Sequence, residues 1–390
     1  MRTDDEAAQA LRQDDIIEFI HRLFDGDLHA KRVLSLANAA WGVLTSASLA
    51  VHAIGQGLAH AQGTLSKHGV MQVDRLLSNR GIKLARFFAC WVPYVIGART
   101  KVVVALDWTS FANDGHETLV LSMLTRHGRA TPLLWQTVEA ATLKGRQTDY
   151  EDALLCRLYE VLPAGVSVTI VADRGFADCK LLKLLSEELS FGYVVRLRSQ
   201  YYITNAKGER RKAAKWVGAH GRARTLRDAT LTDSQALPVA TVVCVQAKDM
   251  KEPWCLAASD REAKAKTLIG YYAKRWGIET SFRDIKDLRF GMGMPSLRIS
   301  RPERRDRLLL VSALAIALLS LLGAAGEALG YDRWLKANTV KRRTHSLFRQ
   351  GLMLYEHIPN WPEERLRPLF EKFTELLHEH RVFRDAFGII

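Results

Sequence analysis

Apolar positions recur at helical spacing at both ends of the chain and as β-branched runs in the middle. DDIIEFIHRLF (14–24) carries a helical stripe, and VDRLLSN and GIKLARFFACWV read as two short helices parted at residues 79–81. The pattern changes at 101. KVVVALDWTSF (101–111) is a β-branched run leading into an acid, and LVLSMLT (119–125) and ATPLLWQTVE (130–139) follow, separated by the turn-like RHGR. TDYEDALLCRLYEVL (148–162) is an amphipathic helix and VSVTIVADRGF (166–176) a second buried strand leading into an acid. ADCKLLKLLSEEL (177–189) is a helix and FGYVVRLRS (191–199) a strand, so the expected order is β-β-β-α-β-α-β. Residues 200–258 begin basic and become strand-like in ALPVATVVCVQA and PWCLAAS, which predicts a β-rich insertion. Helices resume from Arg261, with breaks near Pro295, Gly330 and Pro359–Pro362.

Leu308 to Gly326 is an uncharged run of nearly membrane-spanning length. It is flanked by charge on one side only, and a chain of this size can surround an all-apolar helix. It is therefore expected to be a core helix rather than a membrane span. Residues 33–66 also lack Asp, Glu, Lys and Arg, but their Asn, Ser, His, Gln and Gly exclude a span.

Composition adds one strong constraint. Hydrophobic content of 48% and charged content of 25% are those of an ordinary globular protein, but 56 Lys plus Arg against 42 Asp plus Glu leave +14. That balance favours a polyanionic partner, although a basic enzyme without one fits equally well. The five cysteines lie far apart without a CxxC pair, so no structural zinc is expected and a reducing, intracellular setting fits. The MRTDDEAAQA start has no apolar segment of a secretory signal.

The candidate chemistry lies in two strand-end acids and one helix. Asp107 and Asp173 each follow a run that should be buried in a sheet, where an uncompensated carboxylate is costly. Alone, each fits a turn or helix cap. If their strands are parallel neighbours, both carboxylates project from one sheet end, and a divalent cation would relieve their repulsion. Tyr272, Arg275, Glu279 and Lys286 form the pattern Y-x2-R-x3-E-x6-K, and on one helix they would fall within roughly 60° of each other. The same pattern also fits an exposed helix with an Arg275–Glu279 ion pair.

Across residues 70–330 the order of these features resembles the DDE transposases of bacterial insertion sequences that carry the YREK signature. The resemblance implies an α/β fold: a ribonuclease H-like mixed five-stranded sheet with flanking helices, a β-rich insertion, and helical N- and C-terminal regions. It divides the chain into a helical region 1–98 (a candidate DNA-binding domain or simply a helical cap), core segments 99–199 and 259–330, the insertion 200–258 and a C-terminal region 331–390. It implies Asp107, Asp173 and Glu279 as catalytic acids holding two Mg2+ ions, with Mn2+ able to substitute. Tyr272, Arg275 and Lys286 would then contact DNA, and Trp254 would stack on a base flipped from the transposon end, with Trp216 a weaker rival. Implied partners are transposon ends and target DNA, bound by a homodimer on paired ends in the bacterial cytoplasm and not at a membrane. The alternative is a transposase-derived DNA-binding protein that no longer cleaves.

Overall fold

The computed structural model describes residues 13–24, 29–125, 128–231 and 236–378. Five helices come first: α1 (Gln13–Phe24), α2 (Ala30–Ser46), α3 (Val51–Ala61), α4 (Ser66–Ser78) and α5 (Leu84–Ile96). They do not stand apart from the rest. Trp91 on α5 donates its indole N–H to the Pro132 carbonyl at 2.8 Å, and Phe87 and Phe88 pack on Trp135. These large rings put the helical region and the sheet into one apolar core.

The central order matches the apolar pattern. It runs β1 (Lys101–Thr109), β2 (His116–Leu124), β3 (Ala130–Glu139), α6 (Gln147–Val161), β4 (Ser167–Ala172), α7 (Cys179–Lys183) and β5 (Gly192–Arg196). Within the turn-like RHGR, residues 126 and 127 lie outside the described residues. A π-helical turn, Leu184–Glu188, continues α7. β1 pairs with β2 antiparallel and with β4 parallel, and β4 pairs with β5 parallel. The expected neighbouring parallel strands are therefore β1 and β4.

The insertion holds β6 (Tyr202–Thr204), β7 (Arg210–Lys212), β8 (Arg224–Leu231), β9 (Leu237–Val245) and β10 (Trp254–Ala258). These strands extend the five-stranded core rather than forming a separate layer. The sheet has ten strands in the order β3-β2-β1-β4-β5-β10-β9-β8-β6-β7. β10 pairs antiparallel with β5, so the backbone groups of a strand that would otherwise be an open edge are satisfied.

Two helices follow, α8 (Ala265–Lys274) and α9 (Trp276–Lys286), where the signature had suggested one. The break falls at Arg275. There the helical bonds tighten: Arg275 N–H reaches the Tyr272 carbonyl, and Ile278 N–H the Arg275 carbonyl, each three residues back. α8 packs across β4, β5, β10 and β9, while α9 packs on β2 and β3. Their junction thus lies over β1, between the strands that α8 and α9 cover.

α10 (Pro302–Ala328) contains the long uncharged run, and nearly all of that run is buried inside the protein. It packs on β3, as expected of a core helix, and also on α2, α4 and two later helices, α11 (Leu347–His357) and α12 (Glu363–His378). Its closest neighbour is α11. A Cβ on Gly323 would meet the Leu347 carbonyl oxygen at 2.0 Å, so glycine sets the distance between the two helices. At its start, fully buried Arg305 donates to Asp114, which ties α10 to the β1–β2 connection.

Candidate active site

The β1–β4 register decides where the two strand acids lie. Leu106 pairs with Ala172, so the next residues along the two parallel strands are Asp107 and Asp173. Asp173 is the first residue past β4, as a strand-end acid should be. Asp107 instead lies inside β1, opposite Val120 of β2, because β1 runs on to Thr109. Side chains alternate along a strand. Asp107 turns toward the α8–α9 junction, while Trp108 points to the other face and donates to Glu151 of α6 at 2.8 Å.

Arg275 brings the acids together. Its Nη1 donates to Asp107 Oδ2 at 3.0 Å and its Nη2 to Glu279 Oε1 at 3.1 Å. The expected i,i+4 ion pair is present, but it is not an isolated exposed pair. The Arg275 side chain is only 10% exposed and shares its guanidinium with a strand on the sheet. Tyr272, buried on α8, donates its hydroxyl to Asp173 Oδ1 at 2.8 Å. Lys286, at the end of α9, donates to Thr109 Oγ1 at 2.6 Å, and its ammonium lies 5.4 Å from the centre of the Phe111 ring. Arg275 and Lys286 therefore reach β1, Tyr272 reaches the acid just past β4, and Glu279 is joined to β1 through Arg275.

The local electrostatics follow from burial and from these partners. Burial pushes the Asp107 carboxyl up to about 6. Arg275 opposes the shift, and Glu279 and Asp173 add to it. Burial also acts upward on Asp173, but the Arg174 N–H, the Tyr272 hydroxyl and the cations Arg275 and Arg196 outweigh it and hold its carboxyl below the usual range. Burial, reinforced by Asp173, raises the Tyr272 phenol to about 12. Burial lowers Lys286, with Glu117, Asp107 and Glu279 opposing. Burial likewise opposes the Arg275 charge, but Asp107, Tyr272, Asp173 and Glu279 outweigh it and leave that group raised.

Trp254 opens β10 and is half-buried. Its ring meets Tyr272 edge-on at 4.8 Å between centres, which joins the insertion to the signature. Trp216 is fully buried, with Arg211 and Arg224 over its ring and its indole N–H on the Ile203 carbonyl. No open face remains for a base, so the weaker rival is set aside. The sequence reading missed Arg196. This residue ends β5 and lies 3.8 Å from Asp173, and it shares Glu252 with Arg174. An arginine at a strand end is common, and nothing in the sequence marks it. Beside these groups is an open depression of about 550 Å3, lined by Asp173, Arg174, Arg198, Ser199, Gln200 and Glu252.

Among the described residues no three His, Cys, Asp or Glu side chains converge closely enough to hold a metal ion as the chain stands. The donor chemistry nonetheless fits a divalent cation. Asp107 and Glu279 present hard carboxylate oxygens to adjacent nitrogens of one guanidinium, and Asp173 adds its field to that cation. Positive charge is already drawn to this point, and Arg275 supplies it.

Among curated proteins, none matches the sequence. A family model described as "Transposase DDE domain" matches residues 99–318, more than half of the chain. The match spans β1 through most of α10 and takes in both strand acids and the whole Tyr272–Lys286 signature. DDE transposases act on DNA and use divalent metal ions. With the strand acids side by side in register and a helical glutamate joined to Asp107 through Arg275, the chain belongs to the DDE transposase family.

Proposed function

We propose that the chain cuts phosphodiesters at the ends of a bacterial insertion sequence and joins the freed ends to target DNA by cut and paste, as a member of the YREK-signature group. The observation that carries this reading is the linkage of Asp107, Glu279 and Arg275, with Tyr272 on Asp173. Strand acids and signature form one site at the end of the sheet.

In this reading Asp107, Asp173 and Glu279 would hold two magnesium ions, with manganese able to substitute. When bound, such ions stabilise charge on the attacking and leaving oxygens and make bound water a better nucleophile. Asp107 neighbours Asp173 across the β1–β4 register and Glu279 across Arg275, so it is the acid best placed to be shared. Arg275, freed from the carboxylates, binds a phosphate oxygen pair, for which its planar fork is suited. Tyr272 donates to a phosphate oxygen, since a phenol keeps its proton at neutral pH. Lys286 grips the next phosphate from the β1 side. Trp254 stacks on the turned-out base, and the basic positions within 207–227 follow the DNA backbone.

The domain roles follow the same division: core segments 99–199 and 259–330, insertion 200–258, an end-binding region within 1–98 and a C-terminal region 331–390. The work is done on DNA in the bacterial cytoplasm. The test is incubation with a duplex bearing the repeats that flank the coding region, with magnesium present. Cleavage at the repeat tips, followed by joining to a second duplex, is the expected result. Salt-dependent binding by folded protein, with no cut in magnesium or manganese, would instead identify a DNA-binding protein that does not cleave.

A further inference from the structure

The turn after the signature helix presents two large apolar side chains to solvent. Leu288 is 73% exposed and Phe290 is 55% exposed. A single exposed apolar residue is ordinary, but here the backbone holds both outward. Asp287 Oδ1 accepts the N–H groups of Arg289 at 2.8 Å and Phe290 at 2.7 Å. The chain then folds back on α9, with Met292 N–H on the Asp284 carbonyl at 2.9 Å. A Cβ on Gly291 would lie 2.4 Å from that same oxygen, so the return is as close as the backbone allows. Met292 and Met294 are buried beneath the turn, and the Met292 carbonyl accepts from Leu49, between α2 and α3, at 2.9 Å. The apolar tip is thus fixed at its base.

Cations surround the tip. The Arg289 guanidinium lies 5.1 Å from the centre of the Phe290 ring, and Arg349 of α11 lies 5.9 Å from it. Arg283 is exposed one turn earlier on α9. The acid of the turn, Asp287, is engaged by backbone N–H groups. An apolar point within a basic collar matches duplex DNA, where stacked bases lie between rows of phosphates. The tip begins two residues after Lys286, which reaches the β1 end beside Asp107.

We propose that Leu288 and Phe290 form a wedge that enters duplex DNA between adjacent base pairs next to the reacting phosphate, with Arg283, Arg289 and Arg349 on the flanking backbone. Apolar side chains used in this way part a base step and kink the duplex. This inference rests on the reading of the chain as acting on DNA. The wedge adds what the acids and the signature lack, a means of opening the stack so that a base can turn out toward Trp254.

The test compares binding of two short duplexes in a metal chelator, which prevents cleavage. One duplex is fully paired; the other differs only in a central mismatch, where the stack is already weakened. The unaltered protein should prefer the mismatched duplex by about tenfold. A Leu288→Ser/Phe290→Ser double variant, which removes exposed side chains and leaves the core intact, should bind both alike at the paired-duplex affinity. Arg289→Ala should weaken both equally. Equal affinity of the unaltered protein for the two duplexes would overturn the wedge and leave the DNA-acting reading standing, whereas no binding to either duplex would overturn both. A preference that persists in the double variant would overturn the wedge alone. So would loss of dimer in sedimentation by the double variant with no change of preference, which would make the tip a contact between copies.

Discussion

Arg275 shares one positive charge between two carboxylates from distant parts of the chain, and its removal leaves both without that cation. Arg275→Ala should cost about 2–3 kcal/mol of stability, below the ~3–5 kcal/mol for breaking a fully buried pair because Glu279 reaches solvent. If the carboxylates accept a metal ion in place of the guanidinium, magnesium should raise the melting temperature of this variant more than that of the unaltered protein. Equal shifts in a thermal scan would contradict that exchange. Trp254→Ala should reduce strand processing at the element end more than it reduces binding, since stacking on an extruded base is worth roughly 1–3 kcal/mol. Equal losses in gel-shift and cleavage assays would assign Trp254 to packing on Tyr272 alone. The positions of Asp107, Asp173 and the signature were legible because their spacing and the apolar runs before the acids are sequence properties. The sharing of Arg275 between Glu279 and Asp107 was not, since sequence shows the i,i+4 neighbour and conceals the strand 168 residues away. Arg196 was hidden for the same reason.

At the level of elements, the strands from β1 to β5 follow from their apolar runs, because they are buried on both faces, and α6 between them from its one apolar stripe. Sequence did not show that β10 would close against β5 and carry the insertion into the same sheet, since that pairing joins segments far apart. The break at Arg275 also escaped it, as no Gly or Pro stands at that position to signal it. α10 shows how an apolar helix accommodates an acid. Its Asp306 accepts the Thr137 N–H of β3 at 2.9 Å, and burial raises its carboxyl from 3.8 to about 7. The folded state therefore holds this proton more tightly than the unfolded chain does. Its stabilising contribution is complete below about pH 4 and is lost as pH rises through about 7. Asp306→Asn retains an acceptor for Thr137 without the charge. It should be more stable than the unaltered protein above pH 7, by on the order of 2 kcal/mol, and the gap should close toward pH 4. Denaturant melts at several pH values would measure this, and a gap independent of pH would contradict it.

For the whole molecule, a charge of +14 and a candidate active site on β1 and β4 of a ten-stranded sheet suit a protein that grips DNA over a wide surface. Cut and paste requires two element ends held together, and one such site serves one end. The active complex should therefore contain two copies, and sedimentation on paired end-DNA should give the mass of a dimer; a monomeric active complex would contradict this. The central claim is that Asp107, Asp173 and Glu279 form one catalytic set, and the most direct measurement is cleavage of end-DNA in magnesium by Asp107→Asn, Asp173→Asn and Glu279→Gln. Each swap keeps shape and removes one negative charge. Each should abolish cleavage while end-DNA binding persists, and double variants should lose no more than single ones. A folded Asp107→Asn protein that still cuts its element ends would contradict the account.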